Sequence, residues 1–237
     1  MLNGIVTVFK DPAEVASHAA ALVAESFEHA VRDRGLFTLV LAGGSTPKLL
    51  YQVLAREYKK LDWSRALLLF GDDRCVPHSD VNSNVAMVES SLANAAGIPH
   101  SSIRAFKTHL PPAQAAADYE AMLRGLFPQP GSGPDLVLLG MGADGHTLSL
   151  FPGDDAAINE PTRWCIHTKA PAPFAVPDRV TMTLPFVALA RRRLFLVTGA
   201  DKAPRLAAIA AGTEHPPASK VAEPLWFFDQ AAWPGEV

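Results

Sequence analysis

The sequence predicts an α/β protein with a doubly wound, mainly parallel sheet and helices on both faces. Short apolar runs without polar alternation recur along the chain, and strands of this kind are usually buried on both faces of a parallel sheet. Segments with the apolar spacing of helices lie between several of these runs, which is the pattern of a doubly wound fold. The length of 237 residues fits one large α/β domain, so we expect a single domain over residues 1–237.

The first predicted elements are a strand and a helix. Ile5–Phe9 is an apolar run, and Asp11 follows it as a candidate helix cap, with Pro12 at the first helical position. Helical apolar spacing continues to about Arg34, where Gly35 supplies the stop. This start predicts a strand followed by one long helix.

The remaining elements alternate in the same way. Further strands are predicted at Phe37–Ala42, Ala66–Phe70, Ser102–Phe106, Asp135–Gly140 and Arg193–Thr198. Helices are predicted over Pro47–Lys59, Asn82–Ala96, Pro112–Phe127 and Lys202–Ala211. Two proline-containing stretches, Pro128–Pro134 and Gly153–Asp178, are expected to be irregular, the second as a wall of the site or a surface loop.

Composition excludes several classes of protein. Hydrophobic residues make up 49% of the chain and the formal net charge is −3, which gives no electrostatic basis for binding nucleic acid or a membrane surface. The two cysteines, Cys75 and Cys165, lie far apart and fit a reducing compartment rather than a disulfide framework. The N-terminal stretch lacks a signal-peptide pattern, and no apolar run approaches a membrane span. We therefore expect a soluble, cytoplasmic protein.

The loop after the second predicted strand has the character of an anion site. In an open parallel sheet, ligands bind outside the carboxyl ends of the strands. Gly43, Gly44, Ser45 and Thr46 offer backbone N–H groups and hydroxyls at a helix start, which suits a phosphate or carboxylate. The loop is neither a Walker A motif nor a serine-hydrolase elbow, because Pro47 stands where each needs a glycine. A capped helix without a ligand is the alternative.

A second polar loop follows the third predicted strand. Asp72, Asp73 and Arg74 come directly after it, and Asn84 lies downstream. Such groups can contact sugar hydroxyls or hold the loops together, and paired carboxylates can also bind a metal. Adjacent residues on a strand point to opposite faces, so Asp72 and Asp73 need not converge. No metal is therefore expected.

Three glycines, Gly140, Gly142 and Gly145, have G-x-G-x-x-G spacing, and the first of them ends a predicted strand. A dinucleotide-binding turn should open a long helix, but Pro152 and Gly153 would stop one after roughly two turns. A tight turn alone explains the glycines, yet not the presence of Asp144 and His146. An unperturbed histidine accepts a proton at neutral pH, so His146 is a candidate general base, with Asp144 to orient the ring or stabilise the imidazolium.

Two cations complete the set of candidates. Lys202 follows a glycine turn at the start of a predicted helix, where a phosphate held by the Gly43–Thr46 loop could lie. Arg179, upstream in the chain, is a possible second cation. A solvated surface position is the alternative for each.

Taken together, six segments resemble the 6-phosphogluconolactonases of the glucosamine-6-phosphate isomerase/6-phosphogluconolactonase superfamily over nearly the whole chain. The segments are LAGGSTPKLLY (41–51), FGDDRCVP with SDVNSN (70–84), LLGMGADGHTLSLFPG (138–153), DRVTMTLP (178–185), LVTGADKAP (196–204) and LWFFDQAA (225–232). The resemblance implies hydrolysis of 6-phospho-D-glucono-1,5-lactone to 6-phosphogluconate, a reaction of the oxidative pentose phosphate pathway. It also implies a Rossmann-like fold and neither a metal nor an organic cofactor.

The resemblance assigns roles to residues. His146 matches the proposed general base and Asp144 its acidic partner. Gly43, Gly44, Ser45 and Thr46 match the phosphate-side loop, and Arg74, Arg179 and Lys202 match charged positions near the substrate. The carboxylate pair is often Asp-Glu in this family, whereas here it is Asp72-Asp73. The shorter side chain of Asp73 weakens the case for its direct role.

Two rival functions stay open on sequence grounds. The sister branch of sugar-phosphate isomerases and deaminases shares the DGH triplet but typically continues with a Phe-Asn-Glu-Pro-like segment, whereas LSLFPG here favours a lactonase. A non-catalytic sugar-phosphate-binding protein would bind ligand without turnover. A monomer is favoured and a homodimer is possible.

Overall fold

A mainly parallel central sheet carries the fold. The computed structural model describes residues 2–233 and 235. Within them, seven parallel strands pair in the order β1–β10–β9–β6–β2–β3–β5. The bounds of these strands are β1 Ile5–Phe9, β2 Phe37–Leu41, β3 Ala66–Phe70, β5 Ile103–Arg104, β6 Leu136–Leu139, β9 Arg192–Val197 and β10 Leu225–Asp229. Strands β2, β3 and β6 are apolar apart from Thr38 and fully buried, as expected for strands covered on both faces.

Helices connect the strands. Their bounds are α1 Pro12–Arg34, α2 Ser45–Glu57, α3 Asn84–Val88, α4 Asn94–Ala96, α5 Pro112–Leu126, α6 Asp155–Ile158, α7 Leu184–Ala188 and α8 Ala203–Ala211. A π-helical turn, Glu89–Ala93, joins α3 to α4. Helix α1 begins and ends as predicted, because the Asp11 side chain accepts from the Glu14 backbone N–H and Gly35 adopts a positive φ of 78°. No helix in the described ranges combines the length and hydropathy that crossing a membrane requires.

The strand order creates a switch point between β2 and β6. From β2 the chain builds the sheet through β3 to β5, and it then returns to β6 and continues the opposite way through β9 to β10. Since parallel crossovers are right-handed, the connections of the two halves lie on opposite faces. The doubly wound prediction is confirmed. Neighbouring strands whose connections depart to opposite faces leave a crevice at their carboxyl ends, where such folds bind ligands.

A second, antiparallel sheet was not predicted. It pairs β4 (Asp72–Arg74), β8 (Asp178–Met182) and β7 (Cys165–Lys169) in the order β4–β8–β7. The expectation that residues 153–178 are irregular is therefore wrong for α6 and β7. Strand β7 mixes polar and apolar residues and is only partly buried, so it lacks the apolar run that marks the central strands.

Several element boundaries also differ from prediction. The strand predicted over residues 102–106 shortens to Ile103–Arg104, and the C-terminal strand β10 was not predicted. The helix predicted from residue 82 starts at Asn84, because the Ser83 side chain caps it by accepting from the Val85 backbone N–H. The helix predicted from residue 47 starts two residues earlier, after Gly44. The helix predicted from residue 202 starts at residue 203, after a 3-10 turn, Ala200–Lys202.

Glu120 of α5 fastens the chain that leads into β7. Its carboxylate accepts from Arg163 Nε at 2.7 Å, from Arg124 Nη2 at 2.7 Å and from the Cys165 backbone N–H at 3.4 Å. Burial alone would raise the pKa of this carboxyl, but the bonds from Arg163 and Arg124 outweigh burial and the pKa is lowered. A carboxyl with a lowered folded-state pKa stabilises the fold above its unfolded pKa and stops doing so as pH falls through the folded value.

We expect Glu120→Gln to lower the free energy of unfolding at pH 7 by about 1 kcal/mol, since both arginine partners are half exposed. The deficit should shrink as pH falls below the unfolded glutamate pKa of about 4.3, because the unfolded carboxyl then takes up a proton while the folded carboxyl, with its lowered pKa, stays ionised. Urea unfolding at pH 7 and pH 3.5 measures both values. Glu28→Gln, at an exposed position of α1, is the control. A deficit that stays constant with pH contradicts the assignment.

Candidate active site

One cleft gathers the predicted site residues at the carboxyl ends of β2, β6 and β9. Its volume is about 330 Å³. Of the predicted residues, those that line it are Gly43, Gly44, Ser45, Thr46, Asp72, Arg74, Asn84, His146, Arg179 and Lys202. Asp144 does not line the cleft and instead supports His146. In the described part of the chain, no group of three or more His, Cys, Asp or Glu side chains is placed to hold a metal ion.

Asp144 and His146 form a hydrogen-bonded pair on the turn after β6. Asp144 Oδ1 lies 2.6 Å from His146 Nδ1, and the same oxygen accepts from the His146 backbone N–H at 3.1 Å. Partial burial would raise the Asp144 pKa, but hydrogen bonding to His146 and its charge prevail, and the pKa is lowered. The ionised carboxylate keeps the ring proton on Nδ1, which leaves Nε2 free to accept a proton. Asp144 thus both orients the ring and binds the loop backbone.

Gly142 makes room for this pair. The turn closes through Gly142 N–H to the His146 carbonyl at 2.9 Å and Gly145 N–H to the Gly142 carbonyl at 2.9 Å. A Cβ atom at Gly142 would overlap the imidazole Nδ1 and the Asp144 carboxylate. Gly145 has a positive φ of 86° and lies against Pro216. The glycines of this motif therefore shape a short turn around a histidine.

We expect Gly142→Ala to lower kcat about 100-fold with a small change in KM, because the methyl group must push His146 and Asp144 out of position. Steady-state kinetics on the substrate proposed below would measure this. Gly125→Ala, on the exposed side of α5 with no atom near the added methyl, should retain wild-type kinetics. An unchanged kcat for Gly142→Ala would show that the turn tolerates a side chain.

The loop after β2 presents a helix N-terminus to the cleft. Gly44 precedes α2 with φ 102° and ψ 171°, and no side chain caps the first turn. Backbone N–H groups of an uncapped first turn need a partner, and an anion supplies one. Thr46 Oγ1 lies 2.7 Å from Thr198 Oγ1 and so ties this loop to the end of β9.

Asp72 and Asp73 point to opposite sides of β4, as strand alternation predicts. Asp72 lines the cleft and accepts from Ser149 Oγ at 2.6 Å. Asp73 is fully buried behind it and accepts from Ser83 Oγ and the Asn84 backbone N–H. Burial is the main reason that the Asp73 pKa is raised. Asp73 therefore holds the loop and has no access to the cleft.

Asn84 links the two polar loops. Its amide Nδ2 donates to the Asp72 carbonyl at 2.9 Å. A Cβ atom at Gly43 would overlap this amide, so the loop after β2 needs glycine there. Asn84 consequently supports Asp72 and also forms part of the cleft wall.

Arg74 and Arg179 lie directly opposite each other in the register of β4 and β8. Arg179 is only 6% exposed, and its Nε donates to the Val176 carbonyl at 2.9 Å, while Arg74 donates to the Asn82 carbonyl. Burial and then the neighbouring Arg74 charge lower the Arg179 pKa. Among the residues described, neither arginine lies within salt-bridge distance of a carboxylate, although Asp72 and Asp73 attract Arg179 from further away. Like charges placed opposite each other are destabilising unless an anion joins them.

Lys202 has a partner of its own. Its Nζ lies 2.6 Å from Asp201 Oδ2, and this hydrogen bond is the main reason that the Asp201 pKa is lowered. Both residues line the cleft. Lys202 thus faces the site as a cation that is partly neutralised by an exposed carboxylate.

Three cleft residues were not singled out from the sequence. Ser149 was seen only as part of a motif, although its hydroxyl bonds Asp72 across 77 positions of chain. Phe151 and Phe174 both pack against the His146 ring, with ring centroids 4.8 Å and 5.6 Å from it, and against each other at 5.3 Å. Phe151, like Ser149, lies within the segment LLGMGADGHTLSLFPG. Phe174 is an isolated aromatic residue outside every motif, so only the folded chain brings its ring to the histidine.

A doubly wound α/β fold whose switch-point cleft combines an Asp–His pair with cations is that of an enzyme for small anionic substrates. More particularly, the chain belongs to the glucosamine-6-phosphate isomerase/6-phosphogluconolactonase family, whose model matches residues 10–228. A 6-phosphogluconolactonase from Nostoc sp. (strain PCC 7120) is 35% identical, with 96% of each chain covered. One from Rattus norvegicus is 33% identical, covering 97% of this chain and 92% of the relative.

Solved structures agree with this placement. The 6-phosphogluconolactonase from Trypanosoma cruzi superposes with a TM-score of 0.87 at 27% identity, covering 98% of this chain and 96% of that one. The enzyme from Trypanosoma brucei gives a TM-score of 0.86 at 27% identity, with 98% of each chain covered. The resemblance found in the sequence motifs is therefore confirmed at the level of family and fold.

Proposed function

We propose that the protein hydrolyses 6-phospho-D-glucono-1,5-lactone to 6-phosphogluconate, a reaction of the oxidative pentose phosphate pathway. The observation that carries this proposal is one cleft in which an oriented His146 accompanies two arginines, neither of which forms a salt bridge with a carboxylate of the described residues. The substrate has two ends that match these groups: a reactive lactone carbonyl for His146 and a phosphate dianion for the arginines. The names of the curated relatives support the same reaction. We also propose that residues 1–237 act as one domain, which the continuous hydrophobic core supports.

In this proposal His146 is the general base. Nε2 takes a proton from a water molecule as the water oxygen attacks C1 of the lactone. The C1 carbonyl becomes an oxyanion, and backbone N–H groups of the glycine-rich loops are its proposed donors. The tetrahedral intermediate then collapses, the bond from C1 to the ring oxygen breaks, and the Nε2 proton passes to that oxygen. Asp144 holds the ring and stabilises the imidazolium between the two steps.

The phosphate binds away from the reacting carbon. Arg74, Arg179, Lys202 and the N–H groups at the start of α2 are its proposed partners. Asp72, held by Ser149, is left with a carboxylate edge towards the cleft and suits a sugar hydroxyl. Binding at these points orients the lactone ring so that C1 lies near Nε2.

The test is to generate the lactone in place from glucose 6-phosphate with a dehydrogenase and to follow 6-phosphogluconate formation. The protein should accelerate hydrolysis well above the spontaneous rate. Incubation with glucosamine 6-phosphate should release no ammonia, which separates the lactonase from the isomerase and deaminase branch. If the protein bound the lactone tightly but did not accelerate its hydrolysis, it would be a sugar-phosphate-binding protein and not a lactonase.

We expect Lys202→Ala to raise KM for the phosphorylated lactone about tenfold and to leave kcat nearly unchanged. Lys202 is a partly neutralised cation at the cleft edge, so it contributes to binding more than to chemistry. Hydrolysis of unphosphorylated gluconolactone should change little, and Lys59→Ala on an exposed turn is the control. Equal losses on both lactones would remove the phosphate role.

A further inference from the structure

Phe174 lies at a position that the proposed reaction has not used. It belongs to the connection between β7 and β8, whose base closes through the Ala170 N–H to the Pro177 carbonyl at 2.8 Å. The Phe174 backbone N–H donates to the Pro171 carbonyl at 3.1 Å, so the tip of the connection is itself a turn. The phenyl ring remains 39% exposed although it lines the cleft. A large apolar ring is thus left open to solvent inside a mainly polar site.

The ring touches both functional ends of the cleft. Its centroid lies 5.6 Å from that of His146, with the two ring planes at 84°. The Arg179 guanidinium carbon lies 5.9 Å from the same centroid, within cation–π distance. A substrate that reaches His146 with its carbonyl and Arg179 with its phosphate must therefore pass its carbon skeleton along Phe174.

We propose that Phe174 is a specificity-determining residue whose ring packs against the C–H face of a cyclic sugar phosphate. This inference rests on the proposed function, since the lactone is such a ring. One face of a six-membered sugar ring carries C–H groups, and burying them against an exposed aromatic ring is favourable without any hydrogen bond. The residue then selects ligands that possess a ring between the two polar ends, and inorganic phosphate gains nothing from it.

Binding measurements that need no turnover test this inference. Calorimetry gives Kd for glucose 6-phosphate, a stable cyclic sugar phosphate, and for inorganic phosphate. We expect Phe174→Ala to raise Kd for glucose 6-phosphate about tenfold and Kd for phosphate less than about twofold. Phe174→Tyr should bind glucose 6-phosphate about as tightly as the wild type does, because it keeps the aromatic ring. Leu36→Ala, a substitution at a comparably exposed apolar residue outside the cleft, is the matched control.

Two results would overturn the inference. Equal weakening of both ligands would mean that Phe174 acts only by holding Arg179, and no change in either would mean that the ring does not meet the sugar. The proposed lactonase activity is scored separately on the wild type. Suppose that the wild type does not hydrolyse the lactone, but Phe174→Ala weakens binding of glucose 6-phosphate and not of phosphate. That result would uphold the Phe174 assignment and reject the proposed reaction.

Discussion

Replacing His146 with alanine is expected to lower kcat for 6-phosphogluconolactone hydrolysis about 100- to 10,000-fold, with little change in KM. The imidazole is the only group in the described cleft that combines an oriented ring with a nitrogen free to take a proton. In the proposed mechanism, its loss removes the proton acceptor from the attack of water and the proton donor from ring opening. The phosphate contacts are untouched, so ground-state binding should persist.

The measurement is a comparison of initial rates at several lactone concentrations, corrected for spontaneous hydrolysis. His109→Ala, at an exposed histidine outside the cleft, controls for the loss of an imidazole as such. Asp144→Asn should give a smaller loss in the same parameter, because the ring remains but its orienting charge is gone. A His146→Ala protein with wild-type kcat would disprove the general-base assignment.

Replacing Arg179 with glutamine is expected to lower kcat/KM for the phosphorylated lactone about 100-fold or more. Arg179 is buried and has no carboxylate partner among the residues described, so a bound phosphate receives a charge-assisted bond from which water is largely excluded. Hydrolysis of unphosphorylated gluconolactone should stay close to the wild-type rate. Arg56→Gln, which removes an exposed arginine paired with Glu57, is the control.

The same substitution has an expected effect on stability that a purely structural arginine would not show. Arg74 and Arg179 repel each other across β4 and β8 in the absence of ligand, and relief of this repulsion offsets the loss of the bond from Arg179 Nε to the Val176 carbonyl, so we expect Arg179→Gln to change the Tm little. Inorganic phosphate should raise the Tm of the wild type and raise that of the variant much less. Equal losses on the two lactones, together with a large fall in Tm, would show that Arg179 mainly supports the fold.

The sequence allowed prediction of the parts of the fold that local physics decides. Strands β2, β3 and β6 are apolar runs, and α1 carries its own cap and stop, so both kinds of element could be found without tertiary information. The small sheet could not, because β7 mixes apolar and polar residues without a regular alternation, and only pairing with β8 makes it a strand. Element starts shifted wherever a neighbouring side chain or glycine set the cap, as Ser83 does for α3.

The site was predictable where the chemistry is concentrated in one loop. Asp144 and His146 are two residues apart, so a contact between the carboxylate and the ring could be expected, whereas the second bond, from the His146 backbone N–H to the same carboxylate, could not. Contacts between distant segments were out of reach. The pairing of Arg74 with Arg179 depends on the unpredicted small sheet, and the contact of Phe174 with His146 depends on where its connection folds.

The alternation along β4 has a consequence for how chain length can vary. Asp72 and Arg74 face the cleft while Asp73 is buried behind them. The two aspartates therefore differ in role only because successive side chains of a strand point to opposite faces. An insertion of one residue between Phe70 and Asp72 would move Asp72 into the buried position and place the Asp73 carboxylate where Arg74 now meets the cleft. A substitution at one of these positions changes one side chain, whereas the insertion of one residue turns every side chain of the strand to the opposite face. We therefore expect related chains to differ here in side chains and to keep the spacing fixed.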